Sequence, residues 1–195
     1  QAAAEVYREG AKADPTNVAA ALNVARMLTN GSDYAAASAA LVTALEANAN
    51  NEDLLNAYAS TLRGEKKFKE AADQARKVIL RDQKNPEALK NLALIYADDG
   101  KLTLAETFFM ETLKLTPKDA SIYVNLGLIA SRRDKPQVAL YQFEEALKLD
   151  PKNSAAHLNI GAISLGFRDY GRAETSLQSA IANGQGGNCN ALAAL

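Results

Sequence analysis

The sequence predicts an all-α solenoid of stacked antiparallel helix pairs, and three observations carry that prediction. The first is periodicity: Ala37, Ala71, Ala105, Ala139 and Ala173 stand 34 residues apart, with Ala3 one period upstream. A chain that matches itself at such a step is one supersecondary unit copied and stacked, each copy burying its apolar side against the next. The second is a parallel series of small residues, Ala25, Ala59, Ala93, Gly127 and Gly161, each preceded by a larger one, Val24, Tyr58, Leu92, Leu126 or Ile160. The third is the shortness of the breaks. NGSD before Tyr34, DDGK before Leu102 and GFRD before Tyr170 supply Gly and Asp turn chemistry where one helix must reverse into another.

Stepping by one period divides the chain into five complete repeats, 18–51, 52–85, 86–119, 120–153 and 154–187. The fourth identifies the unit. Within it Tyr123, Leu126, Gly127, Ala130, Ala139, Phe143, Ala146 and Pro151 fall at the spacing W-x2-L-G-x2-Y…A-x3-F…P. This resembles the tetratricopeptide repeat family. The resemblance covers nearly the whole chain and implies a right-handed α-solenoid of helix pairs. Small residues are required where the two helices of a unit cross, and bulky Tyr123, Leu126 and Phe143 fill the space beside the crossing.

The elements follow in order. Residues 1–17 match the second half of a unit, with Ala3, Tyr7 and Pro15 in register. The first three complete repeats each carry an alanine in both helices, Ala25 with Ala37, Ala59 with Ala71, and Ala93 with Ala105. In the fourth, Pro136 stands at the expected start of the second helix, where its missing N–H is no loss. The fifth pairs Gly161 with Ala173, and residues 188–195 match the start of another unit or a cap. Ala49, Gln83 and Gln185 replace the closing proline, while Val78 and Thr112 replace a small residue, so those two crossings are expected to be slightly wider. Half-units at both ends, and a first residue that is Gln1, lead us to expect a longer parent protein.

Charge narrows the partners. With 22 basic and 23 acidic residues the net charge is −1, so no overall field recruits nucleic acid or an anionic membrane. No apolar run approaches a membrane span. The single cysteine, Cys189, excludes an internal disulfide and leaves cytoplasm and periplasm both open.

No catalytic constellation assembles from these residues, and the expectation is a non-enzyme without metal or cofactor. His157, the only histidine, occupies a packing position one period after Tyr123. One His and one Cys build neither a zinc site nor a Cys/His nucleophile. Asp98 and Asp99 lie in a turn beside Gly100, where they read as helix-terminating and solvated. Gly184, Gly186 and Gly187 follow no strand and do not suggest a phosphate cradle.

Function is therefore expected on the concave surface. In tetratricopeptide arrays the first helices line the inner face through the second, fifth, sixth, ninth and twelfth positions of each unit. The sixth positions here are Asn23, Ala57, Asn91, Asn125 and Asn159. This row resembles the asparagine ladder inside the tetratricopeptide superhelix of O-GlcNAc transferase, which implies contact with the backbone of an extended polypeptide. A primary amide can donate to a peptide carbonyl and accept from its N–H at once, although such amides can equally bond neighbouring helices. The other inner positions run from polar (Arg26, Asp53, Asn56, Ser60, Arg63, Glu87, Lys90) to apolar (Leu94, Val124, Leu128, Leu158, Ala162, Leu165). Either a bound segment or adjacent first helices would cover the apolar set. No three consecutive units supply the paired cations with which chaperone adaptors of this family grip a terminal carboxylate.

The expected function is a non-catalytic scaffold that binds a peptide segment of a protein partner and helps assemble a multiprotein complex, for example in secretion, pilus or motility machinery. The alternative is a targeting domain excised from a larger enzyme such as a glycosyltransferase. Self-association through the uncapped ends, with Leu192 and Leu195 offering apolar area, is a third reading.

Overall fold

The computed structural model describes Asp14 and residues 16–184, and among them every regular element is an α-helix. The expectations resting on Ala3, Tyr7, Pro15, Gln185, Cys189, Leu192 and Leu195, and the partial unit at 188–195, lie outside the described residues. The helices are α1 (Val18–Asn30), α2 (Tyr34–Ala47), α3 (Glu52–Gly64), α4 (Phe68–Ile79), α5 (Pro86–Asp98), α6 (Leu102–Leu115), α7 (Ala120–Arg132), α8 (Pro136–Leu149), α9 (Ser154–Gly166) and α10 (Tyr170–Asn183). The first helices begin at Val18, Glu52, Pro86, Ala120 and Ser154, and the second at Tyr34, Phe68, Leu102, Pro136 and Tyr170. Both series keep the 34-residue step of the alanines.

The helices form two compact units, residues 1–111 and 112–195. In the first, each helix from α1 to α5 packs on the next, and the first helices also touch one another directly, α1 on α3 and α3 on α5. In the second, α7 packs on α8, α8 on α9 and α9 on α10.

The small residues lie where the helices meet. Ala37, Ala71, Ala105 and Ala139 are fully buried and Ala173 nearly so, as are Ala25, Ala59 and Ala93 in the first helices. Gly127 and Gly161 are buried as well. Sixteen residues after each first-helix position stands another buried residue, Leu41, Ala75, Phe109, Phe143 or Leu177. Leu41 and Phe109 stand opposite Ala25 and Ala93, but in the second unit the contacts of Phe143 and Leu177 are close enough to require glycine. A Cβ on Gly127 would sit 2.6 Å from Cε1 of Phe143, and one on Gly161 would sit 2.7 Å from Cγ of Leu177. Interior packing leaves no slack for that overlap. The same logic joins neighbouring repeats, since a Cβ on Gly64 would run into the Tyr34 ring. Val78 and Thr112, the larger residues at their register positions, are both buried.

Two further periodic devices fix the helix ends. Asn17, Asn51, Asn85, Asp119 and Asn153 cap the five first helices, each side-chain oxygen accepting a backbone N–H from the first turn. These bonds, 2.9–3.0 Å long, satisfy donors that a helix start otherwise leaves open. Within each repeat the turn closes with a bond from the residue before the second helix to a carbonyl five residues earlier: Asp33 to Leu28, Lys67 to Leu62, Lys101 to Tyr96, Lys135 to Ala130, and Asp169 to Ser164. The residue between, at Ser32, Lys66, Gly100, Asp134 and Arg168, has positive φ in every repeat. This is the left-handed helix stop, and glycine fills it once in five.

Because a Cβ added at Gly100 would touch nothing within 4 Å, its substitution isolates the backbone cost. Gly100→Ala should lower the unfolding free energy by about 1 kcal/mol, the penalty of left-handed backbone for an L-residue. Chemical denaturation checks this, and an unchanged midpoint would contradict it.

Candidate functional site

Beside the core the first helices present a second face, polar in the first unit and partly apolar in the second. In the first unit this face carries exposed Asn23, Arg26, Asp53, Ser60 and Glu87, with Arg63 and Lys90 half-buried. Arg26 donates from Nη2 to Oδ1 of Asn23 at 3.2 Å, holding the two side chains together on α1. Arg63 pairs with Asp98 at 3.5 Å. Leu94 is half-buried.

Asn91 occupies the same register position as Asn23 in a different environment. It is only 9% exposed, and its Nδ2 lies 3.3 Å from the Asn56 carbonyl and 3.5 Å from Asn56 Oδ1. Asn56 is itself buried, with Nδ2 3.5 Å from the capping oxygen of Asn85, and Asn85 in turn donates to Glu52 at 3.2 Å. The Asn91 amide thus joins α5 to α3 and completes a polar chain across two repeats, buried at Asn91 and Asn56 and half-buried at Asn85 and Glu52. A buried amide of this kind must find partners, and it finds them in the neighbouring helix.

In the second unit the row is open. Asn125 and Asn159 are half-buried, and each donates to the carbonyl one turn back in its own helix, Asn125 to Ser121 at 2.7 Å and Asn159 to Ala155 at 2.8 Å. Each bond uses one amide hydrogen and orients the group, leaving its oxygen and second hydrogen for another partner. Val124 and Leu128 pack partly against the cluster around Phe143 and Ile160. Leu158 and Leu165 lie on Leu177 and Ala180, and Ala162 is exposed. Packing within the unit therefore covers part of the apolar stripe and leaves its outer edge open. His157 is half-buried, with Nε2 donating to the Pro151 carbonyl at 3.0 Å, a bond that ties α9 to the preceding turn.

Electrostatics singles out one group on the first unit's face. Although the Glu87 residue is exposed as a whole, its carboxyl is partly desolvated, and this raises its pKa above the ordinary 4.5. The charge of Asp53 pushes the same way while Lys90 opposes it. Among the described residues no three His, Cys, Asp or Glu side chains converge to hold a metal ion, and no helix is long and apolar enough to cross a membrane. The described residues of the first unit also line an open, cation-rich cavity of about 470 Å³ beside α4. Its signal in the sequence is the run GEKKFKE from Gly64 to Glu70, which periodicity alone does not mark as functional.

Two tetratricopeptide repeat models match the chain, over residues 84–152 and 124–188, together more than half of its length. The chain belongs to the tetratricopeptide repeat family, whose arrays serve as protein-interaction scaffolds. Solved structures agree on the fold. PilF of Pseudomonas aeruginosa aligns with a TM-score of 0.77 at 23% identity, over 90% of this chain and 79% of that one. TTC0263, a thermophilic tetratricopeptide protein of Thermus thermophilus, aligns with a TM-score of 0.77 at 16% identity, over 89% and 95%. YrrB, described as having an unusual peptide-binding site, aligns with a TM-score of 0.62 at 20% identity, over 98% of both chains. No curated protein matches the chain by sequence.

The raised pKa of Glu87 has a sign that can be measured. Above its folded pKa the ionised carboxylate is held less favourably in the fold than in the unfolded chain, and below the unfolded value of 4.5 both states are protonated. Glu87→Gln should therefore raise the melting temperature slightly at pH 7, and the gain should fade as pH falls to about 4. A gain that is constant with pH would contradict this assignment.

Proposed function

We propose that the first-helix faces hold a peptide segment of a protein partner, and that the chain is a non-catalytic scaffold helping to assemble a multiprotein complex. The observation that carries this reading is the geometry of Asn125 and Asn159. Both amides are fixed by a bond to their own helix, stand one repeat apart, and retain an acceptor and a donor that a peptide group can satisfy. Around them, Val124, Leu128, Leu158 and Ala162 offer apolar contact to alternate side chains of such a segment. On the first unit, Asn23, Arg26, Lys90 and Leu94 offer the polar counterpart, while Asn91 contributes through the α3–α5 contact that sets the face. The peptide-binding site ascribed to YrrB supports the reading by likeness of fold. Machines for secretion, pilus formation or motility are the class of complex such a scaffold would serve.

The test is a pair of substitutions that remove the open amides and leave the packing alone. Capture from an extract of the source organism with the wild-type chain, followed by mass spectrometry, supplies the partner. Asn125→Ala with Asn159→Ala should then weaken that partner's binding by about tenfold, as expected for losing two to three good hydrogen bonds, with the melting temperature nearly unchanged. Equal affinity in the variant would place binding elsewhere on the chain.

A further inference from the structure

A second surface of the first unit has a chemistry the first-helix face does not share. The cavity beside α4 is walled by the turn before that helix, by its first two turns, and by the end of α5 with the turn that follows. None of its lining residues belongs to the inner positions of the first helices. Five of them are cations, Lys66, Lys67, Lys69, Arg76 and Lys101, against two acids, Glu70 and Asp99. In a chain whose net charge is −1, this is a local concentration of positive charge that the overall composition does not produce.

The cations are not equally committed. Lys67 pairs with Glu65 at 2.7 Å and Lys101 with Asp99 at 2.7 Å. Lys66 and Lys69 make no ion pair among the described residues, and both are exposed at the cavity. Lys66 sits at the left-handed turn position, with φ 61°, so the backbone directs a long basic side chain where the next repeat has only Gly100.

The cavity wall is held in place. Arg76 donates to the Tyr96 hydroxyl at 2.5 Å and pairs with Asp73 at 3.0 Å. The Tyr96 ring stacks on Phe108 with centroids 5.7 Å apart, and Lys101 Nζ stands 5.9 Å from its centre. Tyr96 is only 6% exposed, which fixes the guanidinium of Arg76 through its hydroxyl. A preorganised guanidinium loses little freedom on meeting a carboxylate.

We propose that this cavity is a docking site for an acidic segment of a protein partner, taking Asp or Glu carboxylates on Lys66, Lys69 and Arg76. A volume of about 470 Å³ is far larger than one small anion fills, and it suits two neighbouring side chains. Phe68 and Tyr96 in the lining match the methylene groups of glutamate as the cations match its charge. The exposed lysines draw the segment in, and Arg76 fixes its register.

The experiment titrates fluorescein-labelled hexaglutamate into the full chain at low ionic strength and follows anisotropy, with hexaglutamine as the neutral match. Hexaglutamate should bind saturably and hexaglutamine should not. K66Q with K69Q should weaken hexaglutamate about tenfold, whereas K118Q with K152Q, which removes the same charge from the other unit, should leave it unchanged. Circular dichroism melting verifies that the variants fold. Should K66Q with K69Q melt early, amide shifts of the wild-type chain decide instead, and they should centre on residues 66–70 and Lys101. Absence of saturable binding, equal weakening by both variant pairs, or shifts spread over the whole chain would overturn the proposal. So would displacement of hexaglutamate by inorganic phosphate at equal carboxylate concentration, since that would define a small-anion site.

Discussion

Close approach of two helices at a position with room for a methyl group at most is the constraint on which this structure rests. Each repeat places a small residue on its first helix and a buried residue sixteen positions later on its second. Where the later residue is Phe143 or Leu177, the earlier one is glycine, and no Cβ fits between them. Burial of a Phe or Leu side chain favours folding by roughly 1.5–3 kcal/mol, so the crossing contributes a large share of what one repeat can gain. Everything outside the crossing inherits its position from it. The face that looks away from the second helix in one repeat does so in all.

That inheritance explains how a chain without a catalytic cluster can still present chemistry. The first-helix positions of the second unit offer amides one repeat apart on a partly apolar surface. Those of the first unit offer charges and a partly buried chain of amides that locks α3 to α5. The same repeat positions thus serve recognition in one place and stacking in another. Turn positions are reused in the same way, since the left-handed residue that ends each first helix also places Lys66 at the rim of a cation-rich cavity.

Helix starts, crossings and the burial of the alanine series were legible in the sequence because each depends on residues at fixed spacing within one repeat. The environment of Asn91 was not. Asn23, Asn91, Asn125 and Asn159 share a register position, yet only Asn91 is buried. Its partner is Asn56, at the fifth position of the preceding repeat, where the other units carry Leu22, Lys90, Val124 or Leu158. A row read one position at a time conceals such a pair. The turn geometry was hidden for a different reason. Ser32, Lys66, Asp134 and Arg168 adopt a conformation that glycine usually announces, and the bonds that hold it come from the helix before it. The capping row Asn17, Asn51, Asn85, Asp119 and Asn153 was visible at the same step as the alanines, and its meaning follows once the helix starts are known.

The dependence of the fold on the crossing is open to one direct measurement, a double-mutant cycle on Gly127 and Phe143 read by chemical denaturation. Gly127→Ala alone should cost about 1–3 kcal/mol, because the new methyl overlaps the ring, and Phe143→Leu alone should cost about 1 kcal/mol for lost packing. Combined, the smaller side chain makes room for the methyl, so the double variant should be more stable than the sum predicts by at least about 1 kcal/mol. Strict additivity of the two losses would contradict the account, since it would mean that the two helices do not depend on that contact.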